Sequence, residues 1–321
     1  MLPITPLKEK PATHHNKMSF TVNSKIAACG GQFLKLSHQS KVTKCSMDVN
    51  VYLPKQYFQR IKNESDKQPT LEKIPTIYYL SGLTCTPQNA SEKAFWQIQA
   101  DNFGFAMVFP DTSPRGDDIP TDPENSWDFG VGAGFYINAT KTPFNKNYNM
   151  YDYVHNELPS ELSKYFNEKN IIDFLDNISI TGHSMGGFGA ISGFLQNLNK
   201  YKSCSAFAPI LNPLSIQWGQ KAFNGYFNDA KLEGAKHDPT ELIQRTKHIP
   251  GKEILIHIGT NDPFLKNQLK PELFLEKVKG TEWESHVDLQ MVEGFDHSYY
   301  FISSFVPQHA EFHAKHLGLL D

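Results

Sequence analysis

The chain has 321 residues, of which 39% are hydrophobic and 20% are charged, and its formal net charge at pH 7 is −3. This length suits an α/β domain with a sizeable core. The 31 lysines and arginines are spread along the chain, which argues against the clustered basic surface of a nucleic-acid-binding protein. The apolar stretches are far shorter than a membrane-spanning helix requires, so we expect neither a nucleic-acid nor a membrane partner.

The N-terminal segment differs in composition from the rest of the chain. It contains three prolines and the pair His14-His15 but no continuous apolar run, so a secretory signal is not indicated. We interpret residues 1–18 as a disordered leader and residues 19–321 as a single domain. The four cysteines lie far apart without metal-binding spacing, which predicts reduced thiols and a cytoplasmic location.

Strand-like and helix-like segments alternate from about residue 46 to the C-terminus, which predicts a mostly parallel sheet flanked by helices. Strands are predicted at 47–53, 74–80, 105–109, 178–181, 204–207, 254–258 and 287–292. Helices are predicted from Ser91 to about Asn102, at 158–166, at 185–197, and at 299–316 with an interruption at Pro307. The segment 110–148 is predicted to form long functional loops, and the polar segment 63–73 an exposed insertion.

The most informative motif runs from Gly182 to Gly187 and reads Gly-His-Ser-Met-Gly-Gly. It follows an apolar strand and opens an apolar helix, which is the context of a G-x-S-x-G nucleophile elbow with Ser184 at its tip. Glycine is required on both sides because a side chain at 182 or 186 would collide with the neighbouring backbone. We therefore take Ser184 as the candidate nucleophile; the alternative is a glycine-rich turn that happens to contain a serine.

A serine hydroxyl needs a base within hydrogen-bond reach and an acid that orients the base. On an elbow scaffold these partners follow in the order Ser, Asp or Glu, His. Asp262 and His297 each lie just beyond the carboxyl end of a predicted strand, where open α/β sheets build their sites. We predict a triad of Ser184, Asp262 and His297, although Asp262 alone would also suit a simple turn before Pro263.

Other ionisable residues compete for these roles. Asp296 adjoins His297, but an immediate neighbour rarely reaches the Nδ1 atom in good geometry, so it ranks second as the acid. His257 and His286 are better explained as structural or solvated residues. His183 can line the elbow but is poorly placed to take the proton from Ser184.

Acyl transfer also needs hydrogen-bond donors for the developing oxyanion. The backbone N–H of Met185, which follows the nucleophile, is one candidate. The loop after the strand 74–80 supplies the other, and we choose the N–H of Leu83 because Gly82 allows a close approach. Trp127 and Trp218 either wall a substrate pocket or fill the core.

Three histidines at the C-terminus, His309, His313 and His316, are spaced so that they share one face of the last predicted helix. Histidines four residues apart can bind zinc, but the H-E-x-x-H motif is missing. We favour a solvated or helix-capping face, and we expect no metal and no organic cofactor.

Several longer stretches resemble one family, the S-formylglutathione hydrolases or esterase D. Together they extend from roughly residue 30 to the C-terminus. The matching stretches are Tyr52-Leu53-Pro54, residues 79–86 (YLSGLTCT), Ser113-Pro114-Arg115-Gly116, residues 126–130 (SWDFG), residues 132–136 (GAGFY), the elbow, residues 218–223 (WGQKAF) and residues 296–301 (DHSYYF).

The resemblance implies an α/β-hydrolase fold and the hydrolysis of S-formylglutathione to glutathione and formate, the last step of glutathione-dependent formaldehyde detoxification. It places the family's triad and oxyanion donors on the residues already chosen, and it implies a homodimer. The family's reactive cysteine falls on Cys85, where modification would block the pocket. Leu211 stands where many members carry a cysteine, and the leader and the insertion are additions.

The substrate contacts are less determined than the triad. Arg115 and Lys221 are our candidates for the carboxylates of the glutathione moiety, and Cys85, Trp127 and Trp218 are the other candidate pocket residues. Two alternative functions remain open at this point: a broad carboxylesterase acting on small acyl esters, and a catalytically silent binding protein with a hydrolase fold.

Overall fold

The computed structural model describes residues 20–63 and 72–320. The leader expected at residues 1–18 and most of the insertion expected at 63–73 lie outside the described residues. None of the helices in the described part combines the length and the apolar character that crossing a bilayer requires.

A nine-stranded sheet forms the centre of the fold, in the order β1-β2-β3-β5-β4-β6-β7-β8-β9. The strands are β1 (Thr21–Ala28), β2 (Gly31–Gln39), β3 (Ser46–Leu53), β4 (Thr76–Leu80), β5 (Ala106–Pro110), β6 (Ile178–His183), β7 (Tyr201–Phe207), β8 (Ile254–Gly259) and β9 (Val287–Val292). The first three strands form antiparallel pairs, and β3 also runs antiparallel to β5. All remaining pairs are parallel, so the sheet is mostly parallel, as predicted.

Helices flank this sheet. They are α1 (Lys55–Asn63), α2 (Pro87–Lys93), α3 (Trp96–Phe103), α4 (Met150–Asp152), α5 (Leu158–Tyr165), α6 (Met185–Gln196), α7 (Gln217–Tyr226), α8 (Ala230–Gly234), α9 (Pro239–Arg245), α10 (Pro271–Val278) and α11 (Tyr299–His316). A π-helical turn, Tyr153–Glu157, joins α4 to α5.

The helices α6 and α11 cover opposite faces of the sheet at β7. Side chains of a strand alternate between the two faces, so neighbouring residues report on different helices. The Ala206 side chain lies beside Gly187 of α6, whereas the Ser205 hydroxyl is hydrogen-bonded to His313 of α11. Nearly every strand residue from β4 to β8 is buried, which explains the continuous apolar runs in the sequence.

Three features differ from the sequence predictions. The helix expected from Ser91 to Asn102 is two helices, because Phe95 adopts a left-handed conformation with φ 59° between α2 and α3. The last helix is not interrupted at Pro307, which lies on its exposed side while the opposite side packs on the sheet. The hairpin of β1 and β2 was not predicted; β1 is a half-exposed edge strand with a weak apolar pattern.

Candidate active site

Ser184 occupies a sharp turn between β6 and α6. Its backbone has φ 56° and ψ −120°, a conformation that costs energy for any residue with a side chain. Three hydrogen bonds hold it: the Ser184 N–H donates to the Phe207 carbonyl over 2.9 Å, and its own carbonyl accepts from Phe188 and Ile210. The strained turn lifts the hydroxyl above the carboxyl end of β6, as a nucleophile elbow does.

The glycines on both sides of Ser184 have no room for a side chain. A Cβ atom on Gly182 would lie 2.4 Å from the Gly186 carbonyl oxygen, and one on Gly186 would lie 2.0 Å from the Leu80 carbonyl oxygen. Both neighbours are backbone atoms that cannot rotate away. The close packing of β4, β6 and α6 therefore depends on glycine at both positions.

His297 and Asp262 lie on the loops that follow β9 and β8. The Nδ1 atom of His297 is 2.5 Å from Oδ2 of Asp262, and the other carboxylate oxygen accepts the Phe264 N–H over 2.8 Å. The Asp262 side chain is fully buried, so its charge acts on the imidazole with little screening by water. This arrangement keeps the proton on Nδ1 and leaves Nε2 free to accept another.

The competing acid, Asp296, has a different set of contacts. Its Oδ1 atom accepts hydrogen bonds from the backbone N–H and the hydroxyl of Ser298, which precedes α11. These bonds lower the pKa of the Asp296 carboxyl. Asp296 therefore orders the loop at the start of the helix, whereas Asp262 faces the imidazole.

Ser184 and His297 line the same cavity, which has a volume of about 110 Å³. The other lining residues are Leu83, Trp127, His183, Trp218 and Phe264. Within the described residues Ser184 Oγ has no hydrogen-bond partner, so a proton transfer from Ser184 to His297, as predicted, would require the two side chains to approach each other further. Hydrogen bonds of this kind often tighten only when the substrate is bound.

The two backbone groups predicted as oxyanion donors lie beside Ser184. Leu83 lines the cavity, and Met185 is the first residue of α6. Neither N–H donates to an acceptor in the residues the structure describes. Because α6 begins at Met185, its N-terminal N–H groups also favour negative charge at this point. The role of both groups stays a prediction.

His183 is held as a neutral side chain next to Ser184. Its Nδ1 atom lies 3.0 Å from the Tyr79 hydroxyl, and burial, followed by the nearby His297, lowers the pKa of His183 to about 3. Its ring packs on Tyr299 at 5.3 Å between ring centres. His183 therefore fills the wall of the cavity as a neutral ring near neutral pH, in agreement with the prediction that it is not the base.

Aromatic rings continue from the imidazole to the surface. Phe264 meets His297 edge-on at 5.0 Å, Trp218 lies 4.8 Å from Phe264, and Trp127 lies 5.4 Å from Trp218. Trp127 is 54% exposed, so it forms the outer rim. Sequence reasoning named both tryptophans but missed Phe264, although its place two residues after Asp262 on the same loop was a usable signal.

The remaining predicted pocket residues have partners elsewhere. Arg115 Nε donates to Asp111 over 2.8 Å, and the Lys221 ammonium lies 2.5 Å from Asp128. A substrate carboxylate would have to compete with these contacts. Burial raises the pKa of the Cys85 thiol, whose sulfur is 4.0 Å from the Tyr299 hydroxyl. Substrate contacts by these residues stay predictions.

The C-terminal histidines do not form the solvated or capping face that the sequence suggested. His309 and His313 are fully buried, since α11 presents this side to the sheet. Only His316 bonds locally, to the Phe312 carbonyl of its own helix. The described residues contain no cluster of three or more His, Cys, Asp or Glu side chains suited to a metal ion.

The mostly parallel sheet, with helices on both faces and a strained serine between strand and helix, defines an α/β-hydrolase fold. The histidine and aspartate on the loops after the last two strands occur in the order that this fold uses.

Comparisons with known proteins identify the family. The putative esterase family model matches residues 40–312. The S-formylglutathione hydrolase of Saccharomyces cerevisiae is 57% identical over 303 residues, covering 93% of this chain and 99% of the relative. The rat S-formylglutathione hydrolase is 44% identical, over 90% and 95% of the two chains.

A solved structure gives the same result. The S-formylglutathione hydrolase of Agrobacterium tumefaciens superimposes with a TM-score of 0.83 at 39% identity, covering 92% of this chain and 99% of that one. The protein thus belongs to the esterase family and, within it, to the S-formylglutathione hydrolases. The resemblance noted in the sequence and the predicted fold class are confirmed.

Proposed function

We propose that this protein is a serine thioesterase that hydrolyses S-formylglutathione to glutathione and formate through Ser184, His297 and Asp262. One observation carries the proposal: the strained Ser184 and the Asp262-bound imidazole of His297 line a single cavity. The substrate is inferred from the relatives, which are S-formylglutathione hydrolases, and the cavity is the place where we expect the reaction to occur.

In the proposed mechanism, His297 Nε2 takes the proton from Ser184 as the oxygen attacks the formyl carbonyl carbon. The Leu83 and Met185 N–H groups donate to the oxyanion, which is worth about 3 to 4 kcal/mol for each good donor. The C–S bond then breaks, and the imidazolium gives its proton to the departing glutathione sulfur. Water, deprotonated by His297, attacks the formyl-enzyme, and formate leaves as Ser184 regains its proton.

The size of the cavity supports a small acyl group. About 110 Å³ between Leu83, Phe264 and Trp218 accommodates a formyl group, and the bulky side chains oppose long acyl chains. The glutathione part then lies toward the rim at Trp127, which is half exposed. The assignment of the glutathione carboxylates to Arg115 and Lys221 belongs to this proposal, with substrate competing against the existing carboxylate partners.

The cellular location, the metabolic role and the oligomeric state belong to the same proposal. All four cysteines are free thiols, which suits a reducing compartment, so we place the protein in the cytoplasm and assign it to formaldehyde detoxification. Neither a metal nor an organic cofactor takes part in the mechanism. A homodimer, expected from the family resemblance, is testable by light scattering of the purified protein.

The decisive assay compares kcat/KM for S-formylglutathione with kcat/KM for 4-nitrophenyl acetate, using the wild type and Ser184→Ala. We expect the thioester to be preferred and both activities to disappear in the variant, whose circular dichroism stays unchanged. A preference for the nitrophenyl ester would favour the broad carboxylesterase. Turnover that survives in Ser184→Ala would contradict the proposed nucleophile.

A further inference from the structure

A directed chain of hydrogen bonds runs from the exposed Asp288 to the buried His309 beneath α11. Gln290 Nε2 donates to Asp288 over 2.8 Å, which leaves Gln290 Oε1 as the acceptor for His257 Nε2–H at 3.1 Å. His257, neutral because burial lowers its pKa, then offers Nδ1 as an acceptor to His309 Nε2–H at 2.9 Å. The three bonds thus have one consistent set of donors and acceptors, with His309 Nδ1 left without a partner among the described residues, and the chain links α11 to β8 and β9.

His313, one helical turn further along α11, bonds to β7 in the same way. Its two ring nitrogens each lie 2.8 Å from a serine hydroxyl, Ser203 on one side and Ser205 on the other. These hydroxyls bond in turn to Ser179 and Thr181 of β6, at 2.9 Å and 2.8 Å. The strand that leads to the nucleophile is therefore connected to the same helix.

The His309 ring also reaches the elbow through Phe207. The two rings stack with their centres 3.8 Å apart and an angle of 15° between the planes. The carbonyl of Phe207 accepts the Ser184 N–H, and the next N–H, that of Ala208, donates to the His257 carbonyl over 2.8 Å. A shift of the His309 ring would thus displace the end of β7, whose Phe207 carbonyl holds the backbone of Ser184.

The same helix begins directly after the proposed base, since α11 starts at Tyr299 and His297 lies two residues earlier. The strand β8, to which His309 bonds through His257, ends three residues before Asp262. One buried side chain therefore touches the supports of the nucleophile, the acid and the base. Nonpolar packing alone would allow the helix to slide or rotate slightly, whereas these hydrogen bonds fix its register.

We propose that His309 is a positioning residue for acyl transfer, holding the supports of Ser184, Asp262 and His297 in the register that the reaction needs. It acts through Phe207 and His257 and touches no reacting atom. The inference rests on the triad proposed above. Because a displacement of about 1 Å can cost about a hundredfold in rate, loss of this register is expected to reduce kcat well beyond any change in the amount of folded protein.

The test uses three variants of the full chain. His309→Leu removes both the hydrogen bond and the stacked aromatic ring, whereas the amide of His309→Gln can still donate to His257. His316→Gln is the matched control, because His316 lies on the same helix but bonds to its own helix carbonyl and, at 3.3 Å, to Glu253. Active sites are counted by titration with a fluorophosphonate, and kcat and KM are measured with S-formylglutathione per titrated site.

We expect kcat per titrated site to fall about tenfold or more in His309→Leu while KM changes little. His309→Gln should recover most of the loss, and His316→Gln should match the wild type. A merely structural role would lower the number of titrated sites and leave the rate of each site intact. Wild-type kcat per site in His309→Leu, or equal losses in the Leu and Gln variants, would overturn the proposal.

A fourth variant keeps the test decisive if His309→Leu does not fold. Phe207→Leu removes the ring that stacks on His309 but keeps the buried histidines and their hydrogen bonds, and we expect a reduced kcat per titrated site there as well; an unchanged value would contradict the proposal. The two proposals fail separately: a wild type that is neither labelled nor active refutes the triad, whereas an active wild type with unaltered His309 variants refutes only the positioning role.

Discussion

The nucleophile elbow and the buried side of α11 approach the same strand ends from opposite faces of the sheet, and they fix the site by different means. At the elbow, steric exclusion acts: Gly182 and Gly186 leave no space for a side chain, and Ser184 is forced into a strained turn. Beneath α11, directional hydrogen bonds of His309 and His313 set the register. Steric exclusion fixes the backbone of Ser184, whereas the hydrogen bonds align α11 with β7 and β8.

The largest effect is expected at the acid. Asp262→Asn keeps the shape of the loop but removes the charge and the acceptor that hold the His297 proton on Nδ1, so kcat should fall by about 10⁴. Steady-state kinetics with S-formylglutathione measure this loss. Asp296→Asn, at the competing carboxylate, should stay within about threefold of the wild type. The reverse ranking of the two variants would assign the acid role to Asp296.

The variant Gly186→Ala tests the steric exclusion at the elbow. The added methyl group would meet the Leu80 carbonyl at 2.0 Å, so we expect the free energy of unfolding to fall by about 4 kcal/mol or the fold to be lost. Gly251→Ala is the control: nothing lies within 4 Å of the added methyl group, although Gly251, unlike Gly186, has a positive φ of 80°. Only backbone strain of about 1 kcal/mol is expected there. Similar losses in both variants, measured by urea unfolding, would refute the steric account.

The buried histidines of α11 are expected to make the stability of the fold sensitive to acid. Burial lowers the pKa of His313 to about 3, whereas an unfolded histidine titrates near 6.5. Between these two pKa values the unfolded state binds more protons than the folded state. The contribution of the neutral, buried His313 to the free energy of unfolding is therefore complete above about pH 6.5 and is lost as the pH falls. At pH 5 one such histidine has lost about 2 kcal/mol of stability relative to pH 7.

Urea unfolding at pH 7 and pH 5 measures this effect. The decrease in the free energy of unfolding between the two pH values should be smaller by about 2 kcal/mol in His313→Gln than in the wild type. His155 and His183, whose pKa values burial also lowers to about 3, add to the decrease in both proteins. An identical decrease in the variant would show that His313 does not contribute.

The smallest effect is expected at the rim. Trp127→Ala removes an exposed ring that touches Trp218, and the loss of one aromatic contact is worth about 1 kcal/mol. If the glutathione part of the substrate lies there, KM for S-formylglutathione should rise about fivefold with kcat unchanged. The KM for 4-nitrophenyl acetate serves as the control and should change less. Equal changes for both substrates would place glutathione elsewhere.

The two regions also differ in how well the sequence predicted them. The elbow could be located from its residues because glycine, serine and the flanking apolar runs encode a local steric requirement. Asp262 and His297 could be chosen because parallel strands bring their carboxyl ends to one edge, and the structure places the pair 2.5 Å apart. The mostly parallel sheet followed from the alternation of strand and helix patterns.

The buried side of α11 could not be predicted in the same way. The sequence does not show whether a histidine on a helix faces water or a strand. The partners of His309 and His313, which are His257, Ser203 and Ser205, lie about 50 or more residues away along the chain. The uninterrupted helix through Pro307 was not predicted for a similar reason, since the packing of its opposite side on the sheet outweighed local propensity. The left-handed Phe95 between α2 and α3 has no signal in the residue type itself.

The central claim is that His297, oriented by Asp262, activates Ser184. Its most direct measurement is the rate of labelling by a fluorophosphonate, with the modified peptide identified by mass spectrometry, in the wild type and in His297→Asn. We expect one label, on Ser184, and a labelling rate that falls by about a thousandfold or more in His297→Asn. A label on another residue, or an unchanged rate in His297→Asn, would contradict it.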